Sequence, residues 1–471
     1  MSRSHAALSC FLATALALAS SPRAARAQLP ADSSAIETRY RAVADRLIDA
    51  ALADSSAWLR LAELTDRFGN RPIGSPSLEQ ALDWILEQMR ADGLERVQSE
   101  PAMVPHWVRG EESLDLVEPR RTRLPMLGLG GSIGTPKGGI TAPVLVVGDS
   151  NELGAHAAEA RGKIVLFDTP YVSYGVTVQY RWNGAILAAR AGAVAALLRS
   201  VSPFEMRQPH TGVTHYDSTA RRIPFAALSI EDAAMLHRMQ RRGQPVVVTL
   251  RMSAHTLPDA PSRNVMAEIT GSERPDEVVV MGGHTDSWDV GTGAMDDGGG
   301  VVVAWEALRL LKRLGLRPRR TVRVVGWVNE ETGDDRGGLA YRDDHAADLA
   351  KHVLAIESDG GVFRPSGFGF TGSDSALAIV RLVGRLLARI GADTVSRGGG
   401  GSDIAPIMER GVPGMGLNTD GTRYFWYHHS DADTVDKLDP HEMAECVAAM
   451  AVMAYVVADL PQALPRGAAA H

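Results

Sequence analysis

The chain has 471 residues, 45% of them hydrophobic and 22% charged, with a formal net charge of −7. This composition supplies enough apolar residues for a large core and excludes disorder as the main state, while the acidic balance excludes nucleic acid as a natural partner. By length alone, two or three domains are expected.

Residues 1–27 place Arg3 ahead of an apolar run from Ala6 to Ala19 and end on Ala25-Arg26-Ala27. That is the order of a secretory signal peptide, and its apolar run is too short to span a bilayer stably. Removing its three arginines and no acid takes the net charge from −7 to −10 and predicts a secreted or periplasmic protein without a stable membrane span. Cys10 leaves with the leader, so no internal disulfide is possible and Cys446, inside an apolar helix-like run, is expected to be a buried structural thiol.

From Ser34 to Gly93 apolar residues recur at helical spacing, as in Leu47, Ile48, Ala51 and Leu52 and then Ala81, Ile85 and Met89, with a turn at Phe68-Gly69-Asn70-Arg71-Pro72. Short β-rich runs follow at Thr141 to Val147, Lys163 to Phe167, Ala193 to Leu198 and Val246 to Leu250, with one helical stretch near Gly184 to Ala191. This predicts a separate, mostly β insert. From Asn264 onward short strands alternate with longer helices, at Val278 to Met281, Gly298 to Leu314, Thr321 to Trp327 and Val353 to Ile356. Such alternation predicts an α/β sheet covered by helices.

The chemistry gathers at the ends of those strands. His284-Thr285-Asp286 follows the first, with Asp296-Asp297 just before the helix; Glu330-Glu331 follows the second and Asp359 the third. In open α/β sheets the carboxyl edge is where ligands bind, so residues far apart in sequence can converge there; the loop Tyr427-His428-His429-Ser430-Asp431 can supply a fourth group. Metal chemistry explains this inventory better than acid and base chemistry alone. Two divalent ions are balanced by three carboxylates, Asp296, Glu331 and Asp359, together with one hydroxide, and His284 and His429 can each complete one ion's sphere. Imidazole with carboxylate suits zinc. Asp286 can accept the second ring N–H of His284, and of the neighbours Glu330 and Glu331 one can bind metal while the other handles a proton.

These residues resemble the dinuclear-zinc exopeptidases of metallopeptidase family twenty-eight, most closely its carboxypeptidase Q branch. The likeness runs through Gly282 to Gly291, Gly293 to Gly300 and Glu357-Ser358-Asp359, and also through Pro105-His106-Trp107, Arg109 to Ser113 and Leu127 to Gly134. It implies an α/β/α sandwich with a mixed sheet. The main domain would comprise residues 28–118, its N-terminal helical part, and 255–471, its metal-binding part; residues 119–254 would be a mostly β protease-associated insert. It also implies two Zn²⁺ per chain held by His284, Asp296, Glu331, Asp359 and His429, with Asp296 bridging, Glu330 as general base and a cis peptide after Asp296. His428 falls where several relatives carry a tyrosine that steadies the oxyanion. The implied reaction is hydrolysis of a short peptide or dipeptide by metal-bound hydroxide, in a homodimer.

Gly398 to Gly401 with Ser402-Asp403 reads as a substrate-edge loop, Asp403 being a candidate second-shell or substrate contact. Gly130-Gly131-Ser132-Ile133-Gly134 has the spelling of a nucleophile elbow, but Pro136, Gly138 and Gly139 follow where a helix must start. His441 to Glu445 has Glu where a zincin helix needs its second His, and reads as a helix opening capped by Asp439 with Pro440 first. Two other readings stand beside the exopeptidase: a non-catalytic receptor or binding module on the same fold, and a hydrolase or cyclase of other amides. Whether the amino or carboxyl end of a peptide is read stays open.

Overall fold

The computed structural model describes residues 33–204 and 206–466. The leader expected over residues 1–27 lies outside them. Three helices open the described chain, Ser33–Leu52, Ser56–Phe68 and Pro76–Ala91. The third shows why they form: Ser75 accepts from the Leu78 N–H, Pro76 presets the first turn, and Leu78, Ala81, Leu82, Ile85 and Met89 recur at helical spacing and are buried.

Strand β1 (Glu95–Val108) follows. Next come β2 (Glu112–Glu118), β3 (Thr122–Leu124), β4 (Met126–Gly128), β5 (Ile140–Val147), β6 (Ile164–Phe167), β7 (Ala195–Arg199), β8 (Phe225–Leu228) and β9 (Val247–Met252). The chain then makes β10 (His255–Ile269), β11 (Arg274–His284), β12 (Arg320–Trp327), β13 (His352–Glu357), β14 (Pro365–Thr371), β15 (Thr394–Arg397) and β16 (Gly414–Thr419). One mixed sheet has the order β1-β10-β12-β11-β13-β16-β14-β15, and a second has the order β3-β2-β9-β5-β6-β7-β8-β4.

In the first sheet the apolar run of β11 is buried on both faces. Val279 and Met281 join one core with helices Ser33–Leu52, Gly299–Arg313 and Pro440–Asp459, while Val278 and Val280 join another with Trp327, Tyr341 and Ile407. The α/β/α layering follows directly from this period of two. Strands β12, β11, β13 and β16 lie side by side in parallel, so their carboxyl ends open at one edge. Register brings His284 opposite Trp327 and Glu357 opposite Gly282. Helix Pro440–Asp459 starts at Asp439, whose side chain accepts from the His441 and Glu442 N–H groups. It is long and apolar enough to cross a membrane but is largely buried as a core helix, with Cys446 inside it.

The second unit corrects one expectation: it is α/β, not mostly β. Strands β5 to β8 pair in parallel; helix Tyr174–Arg190 is the crossover from β6 to β7, and helix Ile230–Arg241, which leads from β8 to β9, packs on the opposite face of the sheet. Strand β2, which precedes residue 119, belongs to this sheet, and β1, inside the stretch expected to be helical, is the edge strand of the other.

Candidate metal centre

His284 ends β11, and Asp296 and Asp297 sit on a tight turn that opens helix Gly299–Arg313, joined to each other by a cis peptide. Glu330 and Glu331 follow β12, Asp359 follows β13, and His428 and His429 follow a short helical turn after β16. The fold thus brings the five expected ligands to one place. Asp296 stands between two histidines, with Oδ1 3.2 Å from His284 Nε2 and Oδ2 3.2 Å from His429 Nε2. Asp359 Oδ1 lies 3.6 Å from His284 Nε2 on one side, and Glu331 Oε2 lies 3.0 Å from His429 Nε2 on the other. Two donor sets therefore share Asp296.

His428 stacks on His429 with ring centroids 3.5 Å apart, and its Nε2 is 3.6 Å from Asp296 Oδ2. His429 is nearer than His428 to the aspartate and also meets Glu331, so geometry favours His429 as the ligand. His284 Nδ1 faces the backbone carbonyl of Asp286 at 3.0 Å, whereas the Asp286 carboxylate stands 3.7 Å away. The sequence suggested the carboxylate for that contact. Instead Asp286 Oδ1 accepts from Asn329 N–H at 2.7 Å and Oδ2 from Glu331 N–H at 3.3 Å, so this side chain fixes the loop that carries the two glutamates.

Charge in the cluster is short of cations. Burial and then the Asp359 charge push Glu330 up to about 8. Burial and then Asp296 push Glu331 well above the usual carboxylate range, and burial also raises Asp359. Burial would raise Asp296 as well, but its hydrogen bonds to His284 and His429 hold it well below that range. Glu331 Oε1 is buried without a hydrogen-bond partner, and Asp296 Oδ2 has only imidazole nitrogens beside it. Crowded carboxylates with unpaired oxygens beside imidazole nitrogens fit divalent cations better than they fit a solvated loop. The donor sets His284, Asp296 and Glu331; Asp296, His428 and His429; and His284, Asp297 and Asp359 each lie close enough together to hold an ion.

Several supporting residues escaped sequence reasoning. Asp297 Oδ2 accepts from the His284 N–H at 3.1 Å and Oδ1 from the Gly300 N–H at 3.0 Å; a Cβ on Gly283 would collide with this carboxylate. Asp433 Oδ1 accepts from the Ala294 and Met295 N–H groups, both at 2.8 Å, anchoring the turn before Asp296. The second unit reaches in as well. Thr211 donates its N–H to the His429 carbonyl at 2.8 Å, and its own carbonyl lies 3.3 Å from His429 Nδ1. Arg181 Nη1, nearly buried, stands 3.2 Å from the same ring nitrogen and 3.4 Å from the Thr211 carbonyl, while Nη2 donates to the Tyr174 hydroxyl at 2.8 Å. His429 has a φ of 62°, and these contacts hold it there. Asp403 lies beneath the cluster, 1% exposed, with both carboxylate oxygens unpartnered and its proton affinity raised by burial and then by the Glu357 charge. It belongs to none of the donor sets.

Residues 264–454 match the pattern of Peptidase family M28. Carboxypeptidase Q of Mus musculus is 48% identical over 430 residues, covering 91% of this chain and 91% of that protein, and carboxypeptidase Q of Homo sapiens is 48% identical over 414 residues, 88% of each. The solved peptidase M28 precursor from Shewanella amazonensis SB2B superposes with a TM-score of 0.88 at 34% identity, over 92% of this chain and 100% of that one. An aminopeptidase from Aneurinibacillus sp. strain AM-1 shares the fold, with a TM-score of 0.63 at 18% identity over 93% of this chain and 98% of that one.

Proposed function

Because this chain belongs to peptidase family M28 and is a metallo-exopeptidase with that family's dinuclear metal site, we propose that it hydrolyses short peptides or dipeptides, releasing residues as a carboxypeptidase or dipeptidase. The carboxypeptidase Q proteins that it resembles support the carboxyl-terminal reading. One observation carries the metal assignment: the two oxygens of Asp296 each meet a different histidine at 3.2 Å, the placement a bridging ligand needs. His284 and Asp359 would complete one zinc site and Glu331 and His429 the other. Bound there, two Zn²⁺ ions would polarise the scissile carbonyl and acidify the attacking water.

Glu330 is the general base in this reading. It follows β12 beside the ligand Glu331, at the edge where the donor sets gather, so its carboxylate can take a proton from the attacking water and pass it to the leaving amine. His428, stacked on His429 beside Asp296, stands where a ring N–H can meet developing oxyanion charge. The residue pattern over 1–27 supports export to a secreted or periplasmic location, and a homodimer is part of the same proposal. Dipeptides and tripeptides blocked at one end or the other test the reading. Blocking the carboxyl terminus should abolish cleavage, whereas loss on blocking only the amino terminus would make the chain an aminopeptidase.

A further inference from the structure

Where the second unit meets the first, beside the candidate centre, lies a cavity of about 310 Å³. Ile73, Trp107, Trp288 and Glu331 from the first unit and Val213 and Tyr216 from the second are among its walls. Two of the aromatic walls have spent their polar ends. Trp107 Nε1 donates to the Ser132 carbonyl at 2.9 Å, and the Tyr216 hydroxyl donates to the Ile223 carbonyl at 2.6 Å. Those bonds fix the rings and leave their apolar surfaces to the cavity.

Trp288 differs. It is 7% exposed, its Nε1–H has no acceptor, and its ring packs edge-on to His429 at 5.7 Å. Gly130 of the second unit lets this happen, because a Cβ there would collide with the six-membered ring of the indole. Glu331 reaches the same cavity while its Oε2 stays 3.0 Å from His429 Nε2, and its Oε1 is buried and unpartnered. The indole Nε1 is sealed from this space, so the cavity offers aromatic and aliphatic walls with a carboxylate of the metal cluster at its rim, which suits an apolar side chain.

We propose that this cavity is a selectivity pocket for a bulky apolar or aromatic side chain of the substrate residue beside the scissile bond. The proposal rests on the exopeptidase reading above and adds which side chains it prefers. Aliphatic and ring contacts reward size, whereas a small side chain leaves the walls wet.

The zinc-loaded native protein tests it with two dipeptide series, carrying Ala, Leu or Phe at the first position in one and at the second in the other. In one series kcat/KM should rise by about tenfold or more from Ala to Phe, and in the other it should change much less. Val213→Trp fills the cavity and should collapse the Phe-to-Ala ratio of the responsive series, while Trp288→Leu takes away one aromatic wall and should lower that ratio. Flat series on the native protein, or a native Phe-to-Ala ratio in Val213→Trp, would overturn the pocket. No cleavage of any unblocked dipeptide or longer peptide by zinc-loaded protein would instead overturn the exopeptidase reading, so the two failures are distinct.

Discussion

At the carboxyl ends of β6, β7 and β8 in the second unit stand Asp168, Ser200 and Ser229; at those of β11, β12 and β13 in the first stand His284, Glu330 with Glu331, and Asp359. The two edges are built alike, from parallel strands flanked by helices, yet they treat their polar groups in opposite ways. Asp168 gives one oxygen to Arg199 at 3.1 Å and the other to His237 at 2.8 Å. Ser200 donates to the Leu228 carbonyl at 2.7 Å, and Ser229 caps its helix by accepting from the Asp232 N–H at 3.0 Å. In the first unit Glu331 Oε1 stays unpaired although buried, and Asp296 meets only imidazole nitrogens. Carboxylates at a sheet edge do not by themselves mark a site. Several buried carboxylates crowded against imidazole nitrogens do, because burying that much like charge costs stability unless a cation repays it.

Substitutions at the two edges sharpen that contrast. The largest effect is expected for Glu330→Gln, which keeps the shape but removes the base: kcat should fall by about 10²–10⁴-fold in steady-state peptide assays while the metal content found by elemental analysis stays at the native value. Near-native turnover would remove Glu330 from its role. Next comes Arg181→Met. Its guanidinium shares the Thr211 carbonyl with His429, so its loss should weaken the metal held by that histidine by about 10–100-fold, read by competition with a zinc chelator. Unaltered affinity would make the second unit a bystander to the metal. Smallest for catalysis is Asp168→Asn at the closed edge, which should lower the urea-unfolding free energy by about 1–3 kcal/mol and leave kcat as it is. A drop in kcat would show that the closed edge serves the reaction as well.

What could be read from the chain follows a physical divide. His284, Asp296, Glu331 and Asp359 were legible because each sits just past a run whose period announces a strand or just before a helix, and such runs are local. The choice of His429 over His428 came from the resemblance, since no local period separates two adjacent histidines; His429 is also the nearer of the two to Asp296. Thr211 and Arg181 were invisible, since they meet His429 across 218 and 248 residues of chain and no local pattern encodes that approach. Of helix Tyr174–Arg190 only the second half was legible, near Gly184 to Ala191; Val176, Thr177 and Val178, which favour strands, hid its start. Strand β1 hid for the converse reason: Pro101 and Pro105 argue against a strand, and they are tolerated because β1 lies at the sheet edge, with its free side unpaired.

The shared aspartate is the centre of all this, and counting ions tests it most directly. Purified protein would be chelated exhaustively, verified by elemental analysis, and retitrated with Zn²⁺ while bound metal and dipeptide cleavage are followed together. The expected result is no cleavage in the chelated protein and full cleavage at two ions per chain. Undiminished cleavage by protein shown to be metal-free, or full activity with a single ion bound, would contradict the dinuclear centre.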